Sequence, residues 1–457
     1  HDISNAERAK SVNADFINKN SESLSMDILN FLYRRLGFGN FVFKGQDGKP
    51  LGEAENLQKF QKMFQEIPAE ALDYHGKRNS FSTWLMARGE INMAERLRPI
   101  KTEDFKSPED LRKFCLKVFR KVESEKRKGT IVNFDPTYVN SNSFVMRLAK
   151  GSLGGKGRGI AFICNFIENI NFHKLIPKLN IRIPATAVLG AYEFDKFVEI
   201  NNLYDDIYSS NNYDTIRRHF LESEFDDKMK NRLMEYLEEM NKPLAVRSSG
   251  LFEDSLLQPF SGVYATYLIP NNHINIEVRY QQLETAIKLV YASIFTDSAQ
   301  AYFDAVNYKI EEEKMAIVIQ EVIGHNYSDK YYPSVSGVAQ SYNYYPISYM
   351  EPEDGFSVAA VGLGMYVVGG ENSFRFCPNY PQINPTSLKD QIRDSQKQFY
   401  ALDLTQSEFD LVSNGEDAAI KKFRIKDAEE DGTLEHLAST YSIENDDLIP
   451  GIQQKGP

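Results

Sequence analysis

Five glycines fall within the nine residues GSLGGKGRG, Gly151 to Gly159, with Lys156 and Arg158 among them. Glycines let backbone N–H groups come close to an anion, and a lysine adds positive charge at the same place. Phosphate binding is the chemistry that this composition suits. Taken alone, the run describes a flexible turn with incidental basic residues equally well. A second cluster is PLAVRSSGLFEDSLLQPFSGVYATYL, residues 243–268. A short apolar strand delivers Arg247 into Ser248-Ser249-Gly250, an acidic pair Glu253-Asp254 follows, and Ser261-Gly262 opens another small-residue turn before a strand holding Thr266. An arginine at a strand end beside Ser and Gly is placed to fork onto phosphate oxygens. Its plainer reading is a surface arginine paired with Glu253 or Asp254. The third cluster is MAIVIQEVIG, residues 315–324, where an apolar strand runs into Gln320-Glu321-Val322-Ile323. Such a strand end can offer backbone groups to an adenine edge while aliphatic side chains flank the ring. By itself it is a buried strand.

The familiar phosphate loops do not fit. A Walker A loop needs four residues between its first glycine and GK, then Ser or Thr. Here three residues separate Gly151 from Gly155, and Gly157 follows Lys156. A dinucleotide fingerprint started at Gly155 and Gly157 reaches Ile160 where its third glycine belongs. Neither VAIK nor HRD follows, which excludes a protein kinase. The three cysteines, Cys115, Cys164 and Cys377, form no CxxC pair. Neither a disulfide framework nor a structural zinc site is expected, and the usage fits a reducing, cytoplasmic setting. The formal net charge of −11 disfavours nucleic acid or an anionic membrane as the general partner. No apolar run approaches the ~18 residues of a membrane span. The start, HDISNAERAK, is polar, is no signal peptide and lacks an initiator Met, so the chain reads as part of a longer protein.

These clusters need elements to hold them. A length of 457 residues suggests about three domains. Residues 1–133 read as an all-α domain of unknown role. Apolar spacing predicts helices over 21–38, 59–67, 81–99 and 107–129. The last opens with Ser107-Pro108 and two acids and closes on basic residues and Gly129, an order that suits the helix dipole. Trp84, Arg88 and Glu90 read as a packed tryptophan and a surface ion pair. From 134 the composition turns to Val, Ile, Tyr and Thr bounded by Gly, Pro and Asn. Strands are predicted in NFDPTY, IRIPATAVLG, KPLAVRSS, VYATYLIP, MAIVIQEVIG and FSVAAVGLGMYVVGG. Helices are predicted over 159–172, 215–240 and 278–295. LKDQIRDSQKQFYALDL reads as one helix, and the acidic stretch after 427 as linker. The fold class is α+β. The expected division is 1–133, then 134–242 with the glycine run, then 243–400, then a C-terminal segment 401–457.

In order, GGKG, IPATAVL, AVRSS, FSGVYATYL, YASIFTDSAQAY, IVIQEVIG, SGVAQ and GLGMYVVGG resemble the ATP-binding domain of phosphoenolpyruvate synthases and pyruvate phosphate dikinases. Rifampin phosphotransferases share that domain. The resemblance covers about 144–378, and AVRSS with GLG-x-x-VVGG brings it nearest to the synthases. It implies an ATP-grasp-like fold of two subdomains with ATP between them, and Mg²⁺ on the phosphates. The phosphoryl group would pass to a histidine on a swivelling domain and then to pyruvate in a separate barrel. It also implies site residues: Lys156 and Arg247 as the catalytic cations, with Gly155 and Gly157 around the lysine. Gly262, Val263 and Thr266 would form the turn over the phosphates, and Gln320, Glu321 and Val322 the adenine side. It names no metal ligand in this sequence. Met365 stands where the family has Glu in GLGE, with Glu371 nearby. The later strand pair reading DIEF and LQTR, which supplies metal-binding and further phosphate contacts, is not found. None of the seven histidines lies in a Gly-Gly-x-Thr-x-His setting. The expectation is therefore the ATP-binding part of a synthase-like phosphotransferase, not competent alone. A non-catalytic nucleotide-sensing module and the ATP domain of an antibiotic phosphotransferase stay open beside it.

Overall fold

The computed structural model describes residues 39–452 except 171, 211, 251–252, 254–261, 307, 349, 382 and 384–386. Before residue 39 it describes 8–9, 16–18, 24–25, 27–28 and 31. The helix expected over 21–38 thus lies largely outside the described residues. The chain forms two compact units, residues 1–128 and 129–457.

The first unit is not all-α. It opens with an antiparallel hairpin, β1 (Phe41–Lys44) and β2 (Pro50–Ala54), with Phe41 opposite Ala54. Phe41 and Phe43 alternate inward, and Gly48 takes the left-handed conformation in the turn. A strand of four residues is too short to show its period in sequence. Helices α1 (Leu57–Glu66), α2 (Ala69–Gly76), α3 (Ser80–Ala87), α4 (Ile91–Leu97) and α5 (Pro108–Arg127) pack on it. The run 81–99 breaks in two at Gly89, which has a φ of 76°. Helix α5 follows its sequence signals: the Ser107 side chain accepts the Asp110 N–H, Pro108 leads, and Lys126 and Arg127 close it. The core interleaves Phe41, Phe43, Phe60, Phe64, Phe81 and Trp84. Trp84 donates from its indole to the Gly39 carbonyl at 2.8 Å. Glu90 pairs with Lys126, while Arg88 lies over the Trp84 ring.

The second unit is built on a six-stranded sheet of order β3-β4-β5-β8-β6-β7. Its strands are β3 (Ile131–Asn133), β4 (Val145–Ala149), β5 (Thr186–Leu189), β6 (Leu244–Ser249), β7 (Thr266–Ile269) and β8 (Ala316–Glu321). β3, β4 and β5 run parallel, and the remaining pairings are antiparallel. Strands from either side of residue 242 share this sheet. Alternation gives it two faces. Leu244, Val246, Ile317, Ile319, Ala187 and Leu189 join the main core, under helices α7 (Tyr213–Glu222), α8 (Asp227–Glu239) and α9 (Ile276–Ala292). On the other face Val145, Val188, Ala316 and Val318 pack with Leu153 and Cys164 of α6 (Gly154–Asn169) and its approach. Farther along that face, Ala245 and Val322 meet Tyr331, Leu402 and Ala419. These belong to a second sheet, order β15-β14-β10-β9, of β9 (His325–Tyr327), β10 (Lys330–Tyr332), β14 (Gln398–Asp403) and β15 (Ile420–Arg424) or its flank. A third sheet joins β11 (Ser336–Gln340), β12 (Phe356–Ala360) and β13 (Phe374–Phe376). The mixture of helix and strand is the expected α+β.

Several elements differ from their sequence reading. NFDPTY turns into a 3₁₀ segment at Pro136–Tyr138, since Pro136 has no N–H for a ladder. The pattern 215–240 is two helices, because the Asp226 side chain accepts the Met229 N–H and caps a new helix that starts at Asp227. LKDQIRDSQKQFYALDL is helix only to Arg393; Phe399 and Ala401 then alternate inward on β14, fully buried. The stretch after 427 is folded rather than linker. Helix Ile425–Glu430 buries Ala428 against Tyr332 and Phe399, and Ser439–Ser442 pairs with Asp447–Pro450.

Candidate phosphate site

The start of α6 lies against the end of β6. Gly154 has a φ of +68°, and a Cβ there would stand 1.8 Å from the Ser249 carbonyl oxygen. Only a residue without a side chain permits that approach. Three N–H groups of the turn are then used inside the protein. Gly154 donates to Ser152 Oγ at 3.2 Å, Gly155 to the Gly250 carbonyl at 2.8 Å and Gly157 to Ser249 Oγ at 3.0 Å. Ser249 Oγ in turn donates to the Leu153 carbonyl at 2.7 Å. The glycines bring backbone against backbone, where their composition had suggested amides turned toward an anion. What the turn presents is the side chain of Lys156.

Lys156 forms an ion pair with Glu253, and its Nζ lies 3.2 Å from Ser248 Oγ. Glu253 also accepts from Ser248 Oγ at 2.8 Å and from the Gly250 N–H at 3.2 Å. The Glu253 side chain is 2% exposed and that of Lys156 23%. Glu253 is therefore the partner of the glycine-loop lysine and not of Arg247; Asp254 lies outside the described residues. Tyr264 stands near Glu253 and Glu313, and burial first, then these carboxylates, push its hydroxyl well above the usual tyrosine range.

Arg247 points along the sheet face instead. Its Nη1 donates to Gln320 Oε1 at 3.3 Å, and Gln320 Nε2 donates to Thr186 Oγ1 at 3.0 Å. The register that sets Gln320 opposite both Ala245 and Thr186 makes this chain across β6, β8 and β5. Thr186 was not singled out in the sequence; its one signal was its place within IPATAVL. Thr266 sits opposite Arg247 on β7, and its N–H donates to Glu416 Oε1 at 3.1 Å. Burial raises the Glu416 carboxyl. Gly262 is exposed with a φ of +79°, and Val263 packs beside the main core.

The strand end expected on the adenine side is largely occupied. The Glu321 N–H donates to the Ala185 carbonyl, and the Val322 N–H to the Pro243 carbonyl, both at 2.9 Å. The Glu321 carboxylate pairs with Lys242 and accepts the Ala185 N–H. Val322 is buried and its carbonyl accepts from Tyr331. Gln320 alone of the three turns a polar side chain toward Arg247. Met365 opens the short helix Met365–Val368. Glu371 accepts from Tyr400 at 2.8 Å and pairs with Lys422 at 3.0 Å, and these two partners, Lys422 first, hold its carboxyl below the usual range.

Among the described residues no three or more His, Cys, Asp or Glu side chains converge as a metal site. The carboxylate nearest Lys156 has both oxygens engaged by protein donors. Among the described residues no helix is long and apolar enough to cross a membrane.

The structure thus sets Lys156 at the junction of a glycine turn and a strand end, and Arg247 on the adjoining sheet face beside Gln320. Residues 150–442 match the pyruvate phosphate dikinase AMP/ATP-binding domain, and the chain belongs to that family. The motif order had pointed to it. The chain thus carries an ATP-binding domain of a phosphotransferase family. It is 28% identical over 236 residues to "Uncharacterized phosphotransferase YvkC" of Bacillus subtilis (strain 168), covering 51% of this chain and 25% of that protein. It is 29% identical over 180 residues to "Phosphoenolpyruvate synthase" of Aeropyrum pernix, covering 38% of this chain and 19% of that protein. The matched region spans a quarter or less of the length of these curated relatives.

Proposed function

We propose that this chain is the ATP-binding part of a phosphoenolpyruvate synthase-like dikinase. ATP lies in an ATP-grasp-like manner along the sheet face that carries Arg247 and Gln320, with the second sheet over it. Lys156 and Arg247 meet the transferring phosphates. Gly155 and Gly157 seat the lysine, and the turn of Gly262, Val263 and Thr266 covers the phosphates. Gln320 and the strand end through Glu321 and Val322 border the adenine. The phosphoryl group passes to a histidine of a swivelling domain, and from there to pyruvate, both outside this chain. Phosphoryl transfer asks a protein mainly for positioning and for positive charge where negative charge gathers, which is what these two cations supply.

The observation that carries this reading is the placement of the two cations. Lys156 Nζ lies 3.2 Å from the hydroxyl of Ser248, the residue next to Arg247, although 91 residues of sequence intervene. Calorimetric titration with Mg-ATP and with adenosine tests it. A charge-assisted contact is worth about 1.5–3 kcal/mol, so Lys156→Ala and Arg247→Ala should each weaken ATP binding by about 10–100-fold. Adenosine, which lacks phosphates, should bind all three proteins alike. Unchanged ATP affinity in both variants would place the nucleotide elsewhere.

A further inference from the structure

The carboxylate of Glu253 has no part in the site as read from sequence, yet it is the most constrained group beside it. Its side chain is 2% exposed and Ser248 is fully buried. It accepts from Ser248 Oγ, from the Gly250 N–H and from Lys156. Those donors come from the two elements that form the proposed phosphate site, the end of β6 and the first turn of α6. A buried carboxylate with both oxygens engaged by protein donors is costly to move. The lysine is different. An ammonium has three donors; here one goes to Glu253 and another faces Ser248. The side chain keeps 23% of its surface open.

We infer that Glu253 is a positioning residue for Lys156, holding the ammonium at the end of β6 with a donor to spare for a nucleotide phosphate. This rests on the proposed ATP site. The carboxylate orders a long, flexible side chain before the ligand arrives, so that less conformational freedom is lost on binding. It also ties Gly250 to the same point, which fixes the turn after Ser249 relative to the lysine. A rival arrangement is electrostatic competition, in which the carboxylate keeps the lysine from phosphate and binding must pull the two apart. The position of Glu253, buried and held by two further donors, favours the first.

A double-mutant cycle separates these roles. Glu253→Gln keeps the shape and removes the charge. ATP affinity is measured by titration in the unmutated protein, Glu253→Gln, Lys156→Met and the double variant, with thermal unfolding of each recorded alongside. Loss of one charge-assisted contact leads us to expect that Glu253→Gln weakens ATP about tenfold. It should change ATP affinity less than about twofold when Lys156 is already Met, and should leave adenosine binding unchanged. Where Glu253→Gln does not fold, Glu253→Asp, one methylene short of the lysine, is expected to show the same dependence on Lys156. Tighter ATP binding by Glu253→Gln overturns the inference in favour of competition. Equal losses in both backgrounds overturn it in favour of a role through Gly250 alone. Absence of ATP binding by the unmutated protein overturns the proposed function, and this inference with it.

Discussion

Replacing Gly154 by alanine is the sharpest test of why the glycine run exists. The residue sits at φ +68°, where a side chain costs about 1 kcal/mol. Its new Cβ would stand 1.8 Å from the Ser249 carbonyl oxygen and 2.4 Å from Ser249 Oγ. Neither is the free end of a flexible side chain, so α6 and β6 must part. Overpacking of this kind costs about 1–3 kcal/mol. Parting them also strains the bonds from Gly155 to Gly250 and from Gly157 to Ser249. The expected loss is about 2–4 kcal/mol in the stability of the second unit. Gly159→Ala is the control. That position is within α6, at ordinary φ, with nothing within 4 Å of a Cβ. Alanine there should stabilise by about 0.5–1 kcal/mol through helix propensity. Urea unfolding followed by far-ultraviolet circular dichroism measures both, at matched slope. If Gly154→Ala is as stable as the unmutated protein, close packing is not why a glycine stands there.

Two further outcomes follow from the first unit and from α6. His75 accepts the Lys44 N–H at 2.8 Å through Nε2, and burial first, then Lys44 and Arg78, lower its ionisation to about 4 from 6.5. The unfolded chain takes up this proton first as pH falls. The stabilisation is therefore complete above about pH 6.5 and declines toward pH 4, by up to about 3 kcal/mol. Trp84 is the only tryptophan and shares this core, so its fluorescence should report the decline, and His75→Gln should flatten it. Burial pushes the Cys164 thiol up to about 11 and the Cys115 thiol up to about 12. Neither should react with iodoacetamide at pH 8 in the folded protein; rapid labelling of either would contradict its packing.

The parts of the site that were legible in sequence are those that local pattern decides. Strand β6 with its Arg247 and the body of α6 follow from apolar runs bounded by small residues, although α6 starts at Gly154, inside the glycine run, and not at 159. So does α5, from its cap and charges. Motif order supplied the family where no single motif sufficed. What stayed hidden depends on contacts between distant segments. That Lys156 would meet Glu253 and Arg247 would meet Gln320 is set by the antiparallel register of β6 and β8 and by where α6 begins. The 1–54 region gave no sign of its hairpin because strands of four and five residues carry too little period. The run LKDQIRDSQKQFYALDL mixes both periods, and burial of Phe399 and Ala401 decides for a strand. The glycines were visible, but their use was not: composition cannot tell an amide turned to an anion from one spent on a neighbouring carbonyl.

In the proposed function ATP phosphates come to Lys156. Its acylation by an amine-reactive reagent, read by mass spectrometry with and without saturating Mg-ATP, tests this most directly. ATP should protect Lys156 several-fold and leave Lys59, exposed on the first unit, unchanged. Bound ATP that leaves Lys156 as reactive as before would contradict it.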